Sequence, residues 1–228
     1  MSQAKPIYSI SPFTILDYPD HTACILWFAG CYMRCSYCYN PDIVLGKGKI
    51  GIEDAISFLH KRIGLLDGVV FSGGKCTLHK DLLLLAKLVK EKMNIKVKID
   101  TNGSRPEIIR HLLDKKWVDY MALDFKSLPL SFRGVTQSNL FQPFFQSLRL
   151  LVQREVSFEV RTTLHSSLIS PAQPKAMMLL LDQIGYQGPY YIQHYVSESE
   201  TLGHLSAHDK KGYDFSFSTA NVHFELRN

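Results

Sequence analysis

Six short apolar runs, rich in β-branched and aromatic residues, alternate along the chain with segments of helical periodicity. The predicted strands are Thr22–Phe28, Gly68–Ser72, Ile95–Ile99, Asp119–Leu123, Val156–Thr163 and Tyr190–Val196. The predicted helices are Ile52–Arg62, Lys80–Met93, Arg105–Lys115, Ser138–Gln153 (interrupted by Pro143) and Ala172–Ile184. Strands separated by helices predict a parallel sheet with right-handed crossovers.

Such a sheet can stay open and doubly wound, or it can curl into a barrel. A complete eight-unit barrel typically needs about 250 residues, whereas this chain has 228. We therefore predict an α/β fold, a partial (β/α)6 barrel, in a single domain over residues 1–228. The tail from about residue 197 is predicted to be irregular with one short strand, HFEL. In either architecture ligands bind at the carboxyl ends of the strands.

The composition narrows the classes of partner. The net charge of +5 is spread along the chain without a basic stripe, which disfavours nucleic-acid binding. The longest aliphatic run, DLLLLAKLV, is too short to span a bilayer. The N-terminus has no apolar core of signal-peptide type. These features predict a cytoplasmic protein that binds neither nucleic acid nor membrane.

The loop after the first predicted strand reads FAGCYMRCSYCYNP and holds Cys31, Cys35 and Cys38 in a C-x3-C-x2-C spacing. In a reducing compartment such a cluster indicates metal binding rather than disulfides. Structural zinc would need a fourth ligand, such as His21, and normally uses paired C-x2-C knuckles. Iron–sulfur clusters ordinarily take four thiolates, so three would leave one iron open to another ligand.

The C-x3-C-x2-C spacing, with the aromatic Tyr37 before the last cysteine, resembles the radical S-adenosylmethionine (SAM) superfamily. This resemblance implies that Cys31, Cys35 and Cys38 hold a [4Fe-4S] cluster whose open iron chelates SAM. The segment Asp17-Tyr-Pro-Asp20 before the cluster loop is similar to the pre-cluster motif of the glycyl-radical-enzyme activases, in which a glycine usually stands at the position of Asp20.

Membership of the activases would imply a defined reaction. The enzyme would reductively cleave SAM to a 5′-deoxyadenosyl radical and install a glycyl radical on a partner enzyme. The Tyr-Pro form of the motif most resembles the branch that activates anaerobic ribonucleoside-triphosphate reductase. A reduced flavodoxin or ferredoxin-type protein would supply the electron.

Further motifs resemble the activases through most of the chain. The resemblance implies that Asp100 and Asn102, in D-T-N-G, lie near SAM, and that Asp100 and Thr101 lie near a bound monovalent cation. The remaining implied cofactor contacts are Tyr37, Gly73, Gly74, Lys75, Asp124, Lys126 and Arg161. From the residues alone, Asp100 could instead be a turn or N-cap residue. Two carboxylates at the ends of adjacent strands repel unless a cation or Lys126 lies between them.

The turn FSGGKCTLH, residues 71–79, departs from the family at one position. A phosphate-binding loop would need four residues between its glycines and a Lys-Ser/Thr ending. A metal loop through Cys76 and His79 lacks nearby partners, and we expect Cys76 to pack beneath the turn. In the activases G-G-E stands here, and its acid holds the SAM ammonium. Lys75 would remove a charge-assisted hydrogen bond of about 1.5–3 kcal/mol, which predicts weaker SAM binding.

Three alternatives stay open at the level of sequence. The first is an activase of the pyruvate formate-lyase type. The second is a catalytically impaired cluster or metal-binding homologue, because of Lys75 in the G-G-E position. The third is an enzyme that modifies a small molecule, as in the carboxydeazaguanine synthase branch, whose members commonly vary the cysteine spacing.

Overall fold

The computed structural model of the chain describes residues 5–196, 200–209, 211–217, 219 and 221–227. Contacts between residues divide the chain into two compact units. The first unit comprises Met1–Cys31, Asn40–Thr101 and Arg105–Ala122, and the second comprises Tyr32–Tyr39, Asn102–Ser104 and Leu123–Asn228. The single-domain organisation stays a prediction. Residues 197–199, 210, 218, 220 and 228 of the predicted tail lie outside the described residues.

Four strands form the sheet of the first unit: β1 (Ile7–Thr14), β2 (Ala23–Phe28), β3 (Gly68–Gly73) and β4 (Lys96–Thr101). Strand β2 pairs in parallel with β3, and β3 pairs in parallel with β4, as predicted. Strands β2 and β3 are nearly continuous apolar runs because a parallel sheet is covered on both faces. Their register places Phe28 beside Gly73, so the loops after β2 and β3 leave the same edge of the sheet.

Strand β1 was not predicted, and it pairs antiparallel with β2. Its sequence, IYSISPFT, contains Pro12, which cannot donate to a strand ladder and argues against a strand. The register shifts between Ser11 and Thr14, so the proline lies in an irregular stretch of a strand with one pairing partner in this unit. Proline is tolerated at such positions.

The α-helices of the first unit are α1 (Pro41–Leu45), α2 (Ile52–His60), α3 (Asp81–Leu88) and α4 (Pro106–Asp114). Helix α3 continues into a π-helical turn over Val89–Met93, which ends where the predicted helix ends. Helix α4 begins at Pro106, within one residue of the predicted start. Proline is tolerated there because the backbone N–H of the first helical residue makes no hydrogen bond within the helix. Helix α1 was not predicted.

Strand β5 (Tyr120–Asp124) carries the chain from the first unit into the second, where three further strands pair in parallel. These are β6 (Ser157–Leu164), β7 (Pro189–His194) and β8 (His223–Arg227). Strand β8 contains the HFEL sequence and confirms the short strand predicted in the tail. The bounds of the six predicted core strands agree with the observed ones to within two residues.

The second unit contains α5 (Pro129–Thr136), α6 (Phe141–Val152) and α7 (Gln173–Gln183). The helix predicted over Ser138–Gln153 is confirmed as α6, but its start was predicted three residues too early and Pro143 does not interrupt it. Helix α6 begins at Phe141, which places Pro143 in its first turn, where backbone N–H groups have no helical partner. Helix α5 was not predicted. In the described part of the chain, no helix combines the length and the hydropathy needed to cross a bilayer.

Candidate functional site

The predicted cluster ligands lie in the irregular loop that follows β2. None of the five cysteines forms a disulfide; Cys35 is buried, and Cys31 and Cys38 are partly exposed. Within the second unit, the Cys38 N–H donates to the Cys35 carbonyl at 3.0 Å, which closes a tight turn. The Arg34 N–H donates to the Thr136 carbonyl at 2.9 Å, so the end of α5 holds the loop.

The chain after β7 braces the same loop, a role that the sequence did not reveal. The Gly203 N–H donates to the Ser36 carbonyl at 2.8 Å, and the Leu202 N–H donates to the Cys38 carbonyl at 3.0 Å. A Cβ at Gly203 would lie 2.5 Å from the Ser36 Cβ, so only glycine permits this approach. In addition, the Tyr39 and Tyr195 rings stack with centroids 5.5 Å apart. Tyr195, Leu202 and Gly203 therefore form a strap that fixes the backbone around Cys38.

Tyr37, the aromatic residue before the last cysteine, is 3% exposed. Its hydroxyl has no hydrogen-bond partner within the described residues, although it is buried. Burial, opposed by the nearby Lys126 ammonium, raises the pKa of Tyr37 above its usual range. The Lys126 Nζ lies 5.5 Å from the Tyr37 ring centroid. A buried hydroxyl without a partner fits a site that a polar ligand completes.

Asp124, the last residue of β5, is the centre of a charged cluster in the second unit. Its Oδ1 accepts from Arg161 Nε at 3.2 Å and Nη2 at 3.1 Å, and its Oδ2 lies 3.3 Å from Lys126 Nζ. Arg161 Nη1 and Arg227 Nη1 also lie 3.7 and 3.9 Å from the buried Glu159 carboxylate. The Arg161 guanidinium and the Lys126 ammonium meet at Asp124, and both groups are suited to bind an anion such as the carboxylate of an amino acid.

The surroundings of Lys126 keep its ammonium group protonated. Burial is the largest single effect and lowers the pKa of Lys126, but the Asp124 carboxylate, Tyr37, Cys35 and Cys38 together raise that pKa by more. The net effect is a pKa above the usual value for lysine. The ammonium therefore stays protonated throughout the physiological range.

Asn102 has a local structural role in the second unit. It is 3% exposed, and its Oδ1 accepts from the Ser104 N–H at 3.1 Å. Such an Asx turn is the role expected of an asparagine in a D-T-N-G segment on physical grounds alone. The Ser147 hydroxyl also donates to the Gly103 carbonyl at 2.7 Å, which ties this turn to α6. The contact of Asn102 with SAM stays a prediction.

In the first unit, the turn after β3 is built on two glycines. Gly73 has a φ of +106°, and a Cβ at Gly74 would lie 2.2 Å from the Gly30 carbonyl oxygen. The turn therefore packs directly against the loop after β2. The next residue, Lys75, is 4% exposed and precedes a 3-10 turn over Cys76–Leu78.

The residues that follow Lys75 in the turn are buried or partly buried. Cys76 is fully buried, its Sγ lies 3.5 Å from the Phe71 carbonyl oxygen, and burial raises its pKa to about 12. This confirms the prediction that Cys76 packs beneath the turn. His79 Nε2 lies 2.8 Å from the Ala29 carbonyl oxygen. The Thr77 hydroxyl is buried and has no hydrogen-bond partner within the described residues.

Asp100 lies near the end of β4 and has two polar partners in the first unit. Its Oδ1 lies 2.7 Å from Lys98 Nζ, and its Oδ2 accepts from the Ser72 hydroxyl at 2.9 Å. The side chain of Lys98 is 2% exposed. Lys98 was not among the predicted site residues, although a lysine within the otherwise apolar strand IKVKI was a detectable signal. Each acid at a strand end therefore has a lysine two residues away in the chain, Lys98 for Asp100 and Lys126 for Asp124.

Comparison with protein families identifies the class of this site. Residues 25–167 match the model of the radical SAM superfamily. The chain belongs to the radical SAM superfamily. The match spans the cysteine loop, the GGK turn, Asp100, Asp124 and Arg161. Radical SAM proteins use a [4Fe-4S] cluster and SAM, which confirms both cofactors implied by the resemblance.

Individual relatives agree with this membership. A protein of Methanocaldococcus jannaschii, provisionally named as a glycyl-radical enzyme activating enzyme, is 38% identical over 125 residues, covering 53% of this chain and 50% of the relative. The pyruvate formate-lyase-activating enzyme of Clostridium pasteurianum is 36% identical over 128 residues, covering 50% of this chain and 53% of that protein. The chain thus matches about half the length of these curated relatives.

The fold class is also confirmed. The structure of Streptococcus suis SuiB bound to SAM superposes with a TM-score of 0.63 at 14% identity, covering 87% of this chain and 45% of SuiB. At that identity the likeness shows the fold alone. Together with the parallel strand pairs, it confirms an α/β fold of radical SAM type, the partial barrel predicted from the sequence.

The described residues fit these cofactors in their chemistry. The cysteine loop carries three cysteines that form no disulfide, and the buried hydroxyls of Tyr37 and Thr77 lack partners among the described residues. No three His, Cys, Asp or Glu side chains in the described ranges lie close enough together to hold a metal ion. The three-cysteine ligand set and the individual SAM contacts stay predictions.

Proposed function

We propose that the chain is a glycyl-radical-enzyme activase, which cleaves SAM reductively and installs a glycyl radical on a partner enzyme. The observation that supports the activase assignment is the 36–38% identity to two proteins named as activating enzymes of this kind. The matching solved structures, at 14–16% identity, support only the fold.

Two partner enzymes are candidates for this activity. The pre-cluster sequence Asp17-Tyr-Pro-Asp20 favours anaerobic ribonucleoside-triphosphate reductase, which is the partner we propose. The relative from C. pasteurianum, named for pyruvate formate-lyase, supports that enzyme as the alternative. A reduced flavodoxin or ferredoxin-type protein would supply the electron, and the reaction would take place in the cytoplasm.

The residues of the cysteine loop would have two roles. Cys31, Cys35 and Cys38 would hold the cluster, and the strap formed by Tyr195, Leu202 and Gly203 would keep the loop backbone in place. When bound, the cluster and SAM supply the electron transfer and the 5′-deoxyadenosyl radical that removes a hydrogen from the partner's glycine. The buried Tyr37 would line the cofactor site and donate its hydroxyl proton to a hydrogen bond.

The charged residues would orient the amino-acid end of SAM. Arg161 and Lys126 carry the positive charge that a carboxylate needs, and Asp124 holds both in place. Asp100 and Asn102 are the proposed contacts at the end of β4, and Gly73 and Gly74 let the backbone approach the ligand closely. Lys75 would face the SAM ammonium, which is the one unfavourable contact in this arrangement.

A catalytically impaired homologue is the second candidate, and the burial of Lys75 favours it. At 4% exposure, the lysine does not extend its ammonium into the solvent. A positive charge kept inside the turn would oppose the positively charged ends of SAM.

Anaerobic reconstitution followed by two measurements tests the proposal. We expect SAM cleavage to methionine and 5′-deoxyadenosine under a strong reductant. We also expect a glycyl radical signal by electron paramagnetic resonance when anaerobic ribonucleotide reductase is added. A signal with pyruvate formate-lyase instead would reassign the partner. Cluster formation without SAM cleavage would support the impaired homologue.

A further inference from the structure

The ion pair between Lys98 and Asp100 supplies a positive charge beside a proposed SAM contact. The two residues are separated by one position on β4, so their side chains lie on the same face of the strand. Their charged atoms are 2.7 Å apart, and their side chains are 2% and 15% exposed. The Lys98 Nζ also lies 6.0 Å from the centroid of the Tyr120 ring, whose face attracts a cation.

A carboxylate in such a site requires a compensating positive charge, because removing it from water is costly. In Asp100, one oxygen faces the Lys98 ammonium and the other accepts from the Ser72 hydroxyl. A second buried lysine, Lys75, lies nearby, since the next residue in the chain, Cys76, has its Sγ 3.7 Å from the Asp100 carbonyl oxygen. A dissolved cation placed at Asp100 would meet at least one ammonium at close range.

We propose that Lys98 is a positioning residue that takes the place of a dissolved monovalent cation at Asp100. The Lys98 ammonium neutralises the carboxylate and fixes its orientation, with Ser72 holding the second oxygen. The monovalent cation implied by the family resemblance does not fit this chain. The inference deepens the proposed function, because it concerns the cofactor requirements of the same site.

Thermal unfolding of the cluster-free wild-type chain, in buffers of equal ionic strength, gives the first test. Potassium, sodium and tetramethylammonium chloride are compared, since tetramethylammonium is too large to occupy a small cation site. We expect the same midpoint in all three salts, to within about 1 °C. A saturable rise specific to potassium or sodium would overturn the proposal.

The Lys98→Met variant gives the second test, because it keeps the length of the side chain and removes its charge. We expect a lowered midpoint in tetramethylammonium, and a saturable recovery of roughly 5–10 °C in potassium or sodium. The double variant Lys98→Met/Asp100→Asn keeps the shape of the pair without either charge. It should fold and show no response to the cation. A response of the double variant, or none from the single variant when folded, would contradict the proposal.

The Lys90→Met variant is a matched control. Lys90 pairs with Asp119 at 2.6 Å in the same unit, but the two side chains are more exposed, at 22% and 30%. Its midpoint should not depend on the identity of the cation. All these measurements use unfolding rather than catalysis. Their results therefore test the role of Lys98 independently of the glycyl radical assay, which tests the proposed function.

Discussion

Lys75 is the residue at which the chain departs most sharply from the activases, because it places a buried positive charge where the family has an acid. We predict that Lys75→Glu increases the affinity for SAM by roughly ten- to a hundredfold, since it restores a charge-assisted hydrogen bond to an ammonium. The measurement is isothermal titration of SAM into the anaerobically reconstituted protein.

Lys80→Glu controls for the change in net charge. Lys80 is exposed at the start of α3, five residues further along the chain. This variant makes the same change of charge and should leave the affinity for SAM unchanged. Equal affinities in the wild-type protein and in Lys75→Glu would rule out our explanation of Lys75.

Asp20 adopts the conformation that the family's glycine would adopt. Its φ is +60°, and the His21 N–H donates to the Tyr18 carbonyl at 3.2 Å. With Pro19 at the second position, this is the pattern of a type II turn, whose third residue is usually glycine. The turn therefore keeps its shape with aspartate in place of glycine at position 20. Its backbone is strained, because an L-residue occupies the left-handed region.

We predict that Asp20→Gly stabilises the protein by about 1 kcal/mol, because glycine adopts a positive φ without a steric penalty. Urea denaturation of the cluster-free protein measures the change. Asp20→Ala removes the same carboxylate but keeps the strain, so it should not stabilise. Stabilisation of equal size by both variants would point to the carboxylate rather than to the backbone.

Among the structural elements, the turn between β3 and α3 depends on close contact between two backbones. A Cβ at Gly74 would lie 2.2 Å from the Gly30 carbonyl oxygen. We predict that Gly74→Ala destabilises the protein by about 1–3 kcal/mol, since the two loops must move apart. Guanidinium denaturation followed by circular dichroism would measure this.

Gly134 provides a control of the opposite sign. It lies on the exposed side of α5, and an added Cβ there would have no atom within 4 Å. Because alanine favours a helix over glycine, Gly134→Ala should stabilise by about 0.5–1 kcal/mol. A stabilising Gly74→Ala would show that the loop contact is not tightly packed.

In the tail, His208 contacts residues at or just after the carboxyl ends of β6 and β7. The His208 Nδ1 accepts from the Ser166 N–H at 3.0 Å, and its Nε2 lies 2.9 Å from the His194 Nδ1. We predict that His208→Ala makes the tail cleave at least about tenfold faster in limited proteolysis, because a loss of roughly 1.4 kcal/mol or more raises the open population by that factor.

His204→Asn is the control for this prediction. His204 is exposed and has a φ of +48°, a conformation that asparagine tolerates. This variant should be cleaved at the wild-type rate. Unchanged cleavage of His208→Ala would mean that the aromatic contacts of the tail hold it without the histidine.

The strands that sequence analysis predicted are those whose whole sequence follows one pattern. Strands β2 and β3 are contiguous apolar runs, and their ends are correct to within one residue. Strand β1 escaped prediction because its pairing with β2 outweighs the unfavourable Pro12. The start of helix α6 was also misplaced because of a proline. Pro143 lies in the first turn of the helix, where proline is tolerated, and not in the helix interior, where it would interrupt the helix.

The whole molecule should lose stability in alkaline solution, because two of its buried thiols have raised pKa values. Burial raises the pKa of both Cys24 and Cys76 to about 12. In the unfolded chain these thiols lose their protons near pH 9, whereas the folded chain keeps them. Their contribution is therefore complete below pH 9 and is lost as the pH rises towards 12. Each thiol lowers the free energy of unfolding by about 1.4 kcal/mol per pH unit in that window.

Urea denaturation of the cluster-free protein at several values between pH 8 and pH 11, under a reductant, measures the slope. We predict that Cys24→Ala and Cys76→Ala each make the slope shallower by about 1.4 kcal/mol per pH unit above pH 9. Tyrosines titrate in the same range, but they do so in all three proteins and cancel in the comparison. Identical slopes would show that the thiols ionise equally in both states.

The six core strands, the three-thiol loop and the position of Lys75 could be read from the sequence, because they depend on periodicity and on spacing within a short segment. The burial of Cys76 followed from the same local pattern. The contacts of each charged side chain depend instead on the folded structure. The strap onto the cysteine loop joins residues 36 and 203, and the Arg227 contact with Glu159 depends on where β8 lies. Such pairs are far apart in the chain, and no local propensity specifies them until the strand register brings them together.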